Sequence, residues 1–408
     1  MRFQLVTRTG HPDFLDLPWS DPLEDWRTER LVDVARGISR HVVRFVDYDG
    51  RLYALKELPQ RLAEREYSHL RHLEDESIPA VEVVGVVSGR GDDLDAVLIT
   101  RHLEFSLPYR TLFTGRALPH LRSRLLDALA ELVVRLHLAG FFWGDCSLSN
   151  ALFRRDAGAL AAYVVDTETS ELHPELTRGQ REHDLMIMED NIAGELYDIE
   201  AETEEEGGFD PDEAAAWLRA SYEALWEALT GEEVFGLEER SRIEERIRRL
   251  NELGYDVEEI EVLGDGDELR LRLHPQVVEA GHHARRLHSL TGLEVQENQA
   301  RRLLNDIASY RAALARVDDG KAPPEAVAAY RWRTEIFEKS IASVPQELRG
   351  KREPAEIFHE ILEHRWLMSE RAKREVSTED AVADYVKTAL PLALDERTVL
   401  TDEALGGA

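Results

Sequence analysis

Between residues 31 and 100 the chain alternates short apolar strands with turns and fits in only one helix. That order leaves little choice of architecture. Leu31–Ala35, His41–Val46 and Leu52–Lys56 read as strands. The turns between them are Gly37-Ile38-Ser39-Arg40 and Asp47-Tyr48-Asp49-Gly50, rich in residues that break regular structure. Pro59 opens a helix that sets Leu62, Glu66, His69, Leu70 and Leu73 on one face. Two more strands follow at Val81–Val87 and Ala96–Thr100, around a turn at residues 89–93.

From there the pattern becomes helical. A long amphipathic segment, Leu121–Ala139, ends at Gly140, a residue suited to closing a helix. The loop Trp143–Asn150 leads into two short strands, Ala151–Phe153 and Ala161–Val165. Helices are expected around Glu182–Ile199, Asp212–Leu229 and Leu237–Leu253. Beyond them, Tyr255–Leu263 and Glu268–Leu273 read as a hairpin about Gly264-Asp265-Gly266-Asp267. After Pro275 the chain is helical almost to Leu390, broken at Pro323-Pro324 and between Gly350 and Pro354. With 408 residues, the chain is too long for one ordinary core, so two domains are expected: residues 1–235 and a mainly helical 236–408.

Charge and cysteine narrow the function. A net charge of -31 disfavours nucleic acid and anionic membranes as partners. Cys146 is the only cysteine, so an intrachain disulfide and a multi-cysteine metal site are both excluded. The N-terminus carries no apolar signal segment, and the most apolar helix, Leu125–Leu138, contains Asp127, Glu131 and Arg135. A cytoplasmic protein without a transmembrane segment is expected.

The chain has only six lysines, so one at the end of an apolar strand stands out. In Tyr53-Ala54-Leu55-Lys56, alternation puts Ala54 and Lys56 on one face, a small residue beside a cation. Glu66 sits on the inward stripe of the next helix, where a carboxylate needs a partner, so it is paired with Lys56. Glu64 falls off that stripe. In Trp143-Gly144-Asp145-Cys146-Ser147-Leu148-Ser149-Asn150, an Asp and an Asn five apart converge: the Asp can take a proton from a hydroxyl and the Asn can hold a metal ion. Asp166 ends the strand Tyr163-Val164-Val165, a position that suits Mg²⁺ bridging two phosphates. Taken singly, each also fits a solvated lysine, a snorkelling Glu or a turn-forming Asx residue. It is the order of the five that singles out the site.

With these residues the chain resembles the protein-kinase-like superfamily. Tyr-Ala-Leu-Lys at 53–56 looks like its nucleotide-lysine strand, Gly-Asp-Cys-Ser-Leu-Ser-Asn at 144–150 like its catalytic loop, and Val-Asp-Thr-Glu at 165–168 like its metal-binding segment. The flavour is that of lipopolysaccharide (Kdo/WaaP) and small-molecule kinases. The chain also resembles a bacterial family that joins such a half to a helical half of unknown function. The resemblance implies a bilobal α+β fold, a small β-rich N-lobe and a helical C-lobe, followed by the mainly helical domain with one β-hairpin. It implies ATP and Mg²⁺ as cofactors. Lys56 would hold the α- and β-phosphates and Glu66 would fix Lys56. Asp145 would be the catalytic base, and Asn150 and Asp166 would bind Mg²⁺. The turn Gly37–Arg40, with Gly37 and Ser39, would cover the phosphates; Thr100–Leu103 would be the hinge that hydrogen-bonds adenine, and Ala54, Arg101 and Leu103 would line the nucleotide site. Asp184 would brace the catalytic loop.

The chain departs from the pattern in places. Gly37 is a lone glycine where protein kinases have three, Trp143 replaces a histidine, Gly144 an arginine, and Thr167-Glu168 stand for Phe-Gly. The expected function is an Mg-ATP-dependent phosphotransferase acting on a hydroxyl of a small-molecule, saccharide or protein acceptor. The alternative is a pseudokinase that senses ATP or acts as a scaffold through its helical half. In that half, Ala280–His288 and Gln296–Arg302 form a basic, histidine-rich stretch, read as an anion site, less well as a metal site (Glu279 and His283 have helical spacing, but His283 and His288 are five apart), or as a solvated helix face. Trp332 and Trp366 read as core.

Overall fold

The computed structural model describes residues 3–34, 40–91, 93–107, 109–114, 119–202, 210–230, 234–236, 256–263, 270–276, 281–317, 322–393 and 395–396. Its N-terminal lobe is a six-stranded antiparallel sheet, made of β1 (Gln4–Thr7), β2 (Leu31–Val32), β3 (Val43–Tyr48), β4 (Arg51–Leu58), β5 (Val83–Ser88) and β6 (Ala96–Arg101). The spatial order is β1-β5-β6-β4-β3-β2. β3 and β4 are joined by Asp49 and Gly50, both at positive φ, and Asp47 Oδ1 accepts from the Gly50 amide at 3.1 Å. This primed turn matches the strand twist, and that is why so short a connection works.

Alternation along β4 sorts its side chains between two layers. Tyr53 and Leu55 pack with Phe14, Leu17, Trp19, Leu23 and Trp26 of the N-terminal segment. On the other face, helix α1 (Gln60–Asp75) buries Ala63 and Leu70 against Leu58, Val83, Val86 and Leu98. The N-terminal segment, including β1, has no sequence periodicity to announce it. It is held by aromatic burial and by the fully buried guanidinium of Arg90. That group donates to the Trp19 and Asp95 carbonyls at 3.0 Å and pairs with Glu57 at 2.5 Å.

The second lobe contains α2 (Tyr109–Thr114), α3 (Pro119–Leu138), β7 (Phe141–Phe142), the hairpin β8 (Ala151–Asp156) and β9 (Ala159–Val164), β10 (Glu171–Leu172), α4 (Arg178–Glu202) and α5 (Pro211–Thr230). Its core joins α3, α4 and α5 through Leu129, Val133, Leu185, Met188, Ile192 and Leu218. Gly140, at φ +73, closes α3; a Cβ there would lie 2.1 Å from the His173 carbonyl oxygen.

In the second half, the expected hairpin is β12 (Asp256–Leu263) with β13 (Arg270–Gln276), and it gains a third strand, β11 (Val234–Gly236), on the β13 edge. Residue 235, expected as the domain boundary, falls inside β11. The helix expected at 237–253 and the turn at 264–267 lie outside the described residues. The helices that follow include His282–Thr291, Glu297–Val317, Glu325–Trp332, Pro354–Ala372 and Thr378–Thr388. Trp332 is core, packed edge-on against Phe358 with its indole on Asp306 at 2.7 Å. Trp366, expected in the core, is instead 62% exposed. Part of the basic stretch is ion-paired within this half: His283 with Glu297 at 2.6 Å, Arg286 with Glu325 at 2.7 Å and Arg302 with Glu363 at 3.8 Å.

The two halves meet at the β8–β9 turn. Asp156 accepts from the backbone amides of Gln299 (2.7 Å) and Asn298 (3.1 Å) and from the Asn298 side chain, so it caps helix Glu297–Val317. Glu356 returns the bond, accepting from the Ala157 amide at 3.0 Å, while Arg154 and Arg155 pair with Glu353 and Glu396. Burial pushes the Asp156 carboxyl up to about 7, against the pull of the Gln299 and Asn298 amides. A carboxyl whose pKa is raised in the folded protein gives stability that is complete below its unfolded pKa and is lost as pH rises through the folded one. Denaturant unfolding should therefore show stability falling between about pH 4 and 7. Asp156→Asn should flatten that slope, and an unchanged slope would show that the carboxyl does not titrate there.

Candidate active site

The two lobes enclose a cavity of about 400 Å³, lined by Ala54, Lys56, Glu66, Arg101, Leu103, Asp145, Asn150 and Asp166. Every described residue expected from the sequence to bind nucleotide, metal or acceptor thus faces one space. Gly37 and Ser39, expected to cover the phosphates, lie outside the described residues.

Lys56 Nζ lies 2.9 Å from Glu66 Oε2 and 2.6 Å from Asp166 Oδ2, with Glu168 at 4.0 Å. Glu66 is buried, as its place on the inward face of α1 requires. One ammonium thus faces three carboxylates and cannot balance them. Burial pulls the Lys56 pKa down, but Glu66 and Asp166 outweigh it and hold the pKa above the ordinary lysine value. Burial first, and then Asp166, push Glu66 up to about 8. Even with Glu66 holding its proton, Asp166 and Glu168 set two carboxylates against one ammonium, which favours a further cation at this end of the cavity.

The loop 143–150 is held from below by α4. Asp184, buried, accepts from the amides of Trp143 (2.7 Å) and Gly144 (2.8 Å) and lies 3.1 Å from His137 Nε2. Two turns further along α4, Asn191 donates to Asp145 Oδ1 at 3.1 Å, and Glu195 accepts from the amides of Leu148 (2.8 Å) and Ser149 (3.1 Å). Sequence reading missed Asn191 and Glu195. Their signal was available: from Asp184 they stand seven and eleven residues on, one face of a helix, beside the apolar stripe Leu185, Met188, Ile192, Leu196.

The replaced residues have their own geometry. Buried Trp143 donates its indole N–H to the Asp166 carbonyl at 2.9 Å, tying the loop to the strand end that carries Asp166. Gly144 has φ +77, and a Cβ there would lie 2.9 Å from the Thr169 oxygen and 3.1 Å from the Phe142 ring. No larger residue fits. Cys146 is buried, and burial raises its thiol pKa well above the usual value, which leaves it unreactive.

The donor set suits Mg²⁺, which prefers few protein oxygens plus phosphate and water. Asn150 Nδ2 donates to the Asp145 carbonyl at 2.9 Å, so the amide oxygen is the end left for a cation. Asp166 uses one lone pair on each oxygen, for Lys56 and for the Glu168 amide, and keeps the others. Among the described residues no group of three or more His, Cys, Asp or Glu is arranged as a metal cage. At the hinge, the Arg101 amide already donates to Glu82 O and the His102 amide to Leu52 O. Burial pushes the His102 imidazole down to about 4, so it is neutral.

Residues 49–224 match the model of the lipopolysaccharide kinase (Kdo/WaaP) family, and residues 224–390 match that of a domain of unknown function, DUF4032. Among solved structures, the chain is similar to WaaP in complex with acyl carrier protein: identity 21%, covering 61% of this chain and 99% of that one, TM-score 0.38. It is also similar to an aminoglycoside-3'-phosphotransferase of type VIII: identity 18%, covering 48% and 86%, TM-score 0.33. No curated protein sequence matches the chain. No helix among the described residues is long and apolar enough to cross a membrane.

Proposed function

From a chain that joins a protein-kinase-like domain of the lipopolysaccharide kinase type to a DUF4032 domain, we propose an enzyme that transfers the γ-phosphoryl group of MgATP to a hydroxyl of a small-molecule, saccharide or protein acceptor. The observation that carries this reading is the convergence of Lys56 on β4, Glu66 on α1, Asp145 and Asn150 on the loop 143–150, and Asp166 after β9 on one cavity.

Lys56, fixed by Glu66, points its ammonium at the α- and β-phosphates. Ala54, on the same face of β4, would leave room for the flat base, and Arg101, His102 and Leu103 line the side of the cavity where the base edge would lie. Asn150 and Asp166 would hold Mg²⁺, which when bound neutralises phosphate charge. Asp145 takes the proton of the acceptor hydroxyl as the new O–P bond forms and the bond from phosphorus to the ADP oxygen breaks.

Calorimetry and thermal shift with MgATP test the reading. Nucleotide at 100 times its dissociation constant should stabilise wild type by about 2.7 kcal/mol, and Asp166→Ala should weaken MgATP at least tenfold, roughly the loss of one charged contact. Wild type that ignores millimolar MgATP would overturn the proposal. Binding without turnover on any acceptor would favour the pseudokinase.

A further inference from the structure

Arg40 reaches across the cavity to the residue assigned as base. It precedes β3 in the N-terminal lobe, whereas Asp145 belongs to the loop of the helical lobe, yet Arg40 Nη2 lies 2.9 Å from Asp145 Oδ2. The next residue, His41, places Nε2 2.7 Å from Glu168 Oε2, and that carboxylate is itself 4.0 Å from Lys56. Lys56, His41 and Arg40 thus form a row of nitrogen donors along the cavity, ending at Asp145.

Where a phosphoryl group must lie follows from the chemistry. For Asp145 to take a hydroxyl proton, the hydroxyl oxygen must be within reach of it and in line with the γ-phosphorus. The γ-phosphate oxygens therefore sit beside Asp145, where the Arg40 guanidinium already is. A planar fork of N–H donors matches phosphate oxygens better than a single carboxylate contact. The Arg40 side chain is 79% exposed, and an ion pair so exposed is weak and exchanges readily. The sequence before Arg40 holds a single glycine, Gly37, and a cationic side chain at Arg40 supplies donors of its own for phosphate.

Resting on the phosphotransferase reading, we propose that Arg40 is the γ-phosphate ligand. With MgATP bound, its guanidinium leaves Asp145 for the γ-phosphate oxygens, which frees the carboxylate to act as base. Arg40 itself exchanges no proton. The hydroxyl proton goes to Asp145, and the electron pair of the broken P–O bond leaves on ADP. Arg40 stabilises the charge on the group in transit.

The test compares two nucleotides on the full-length chain by calorimetry with Mg²⁺: ADP, and the non-hydrolysable ATP analogue with an imido β–γ bridge. Arg40→Ala should weaken the ATP analogue by roughly 10- to 100-fold, the range for a hydrogen bond to a charged group, and leave ADP nearly unchanged. Arg40→Lys should recover part of the difference, and kcat should follow the same order. If Arg40→Ala weakens both nucleotides equally, or neither, the residue does not touch the γ-phosphate and the proposal falls. If wild type binds neither nucleotide, the phosphotransferase reading falls with it, a different result from the same titration.

Discussion

Asp145→Ala lowers kcat by about 10²–10⁴-fold, the usual contribution of a positioned general base, and leaves nucleotide affinity close to wild type. The split follows from where the carboxylate is held. Its oxygens face Asn191 and Arg40, whereas Lys56 contacts Glu66 and Asp166. Removing it takes away the proton acceptor and touches none of the groups assigned to the α- and β-phosphates or the metal. Single-turnover transfer measures the rate, and calorimetry with MgATP measures the affinity. A variant that keeps more than a tenth of wild-type kcat, far above the loss expected for a general base, would rule out Asp145 in that role. A variant that loses MgATP affinity to the same degree would move Asp145 to the nucleotide.

Asp184→Ala costs about 3–5 kcal/mol of stability, as expected when one member of a buried charged network is removed. Asp184 is buried, accepts from two consecutive backbone amides and lies beside His137, which in turn is 2.8 Å from Tyr222 on α5. Without it, the Trp143 and Gly144 amides lose their partner, and the loop carrying Asp145 loses its anchor to α4. Thermal and denaturant unfolding should show the loss. Where the variant still folds, its kcat should fall too, because the loop no longer fixes the base. A change below about 1 kcal/mol, the scale of a solvent-exposed pair, would mean that the loop is held elsewhere.

Glu66 was legible in the sequence because a carboxylate on an inward helix face must have a partner. On α4 the same reasoning reaches the carboxylate of Glu195 and, extended to an amide, Asn191; both were missed because Leu185, Met188, Ile192 and Leu196 make a complete apolar stripe on their own. The strands of the N-lobe were legible from alternation and turn residues. The N-terminal segment over the sheet was not, because Phe14, Trp19 and Trp26 follow no period and are placed by tertiary burial and by Arg90. Trp366 was misread as core since size alone does not say which side of a helix is covered. The replacement of a histidine by Trp143 was visible as a departure, but its hydrogen bond to the Asp166 carbonyl exists only in three dimensions.

Asp156 also ties the order of synthesis to the order of assembly. The first turn of helix Glu297–Val317 takes its cap from a residue about 140 positions earlier on the hairpin, with the donors spanning 142 and 143 residues. Chains emerge from the ribosome N-terminus first, and domains tend to fold as they emerge. The hairpin can therefore be in place before the helix that needs it exists. The helical half docks onto a finished template, whereas a rearranged gene that placed residues 281–396 first would release that helix with its leading amides still waiting for their acceptor.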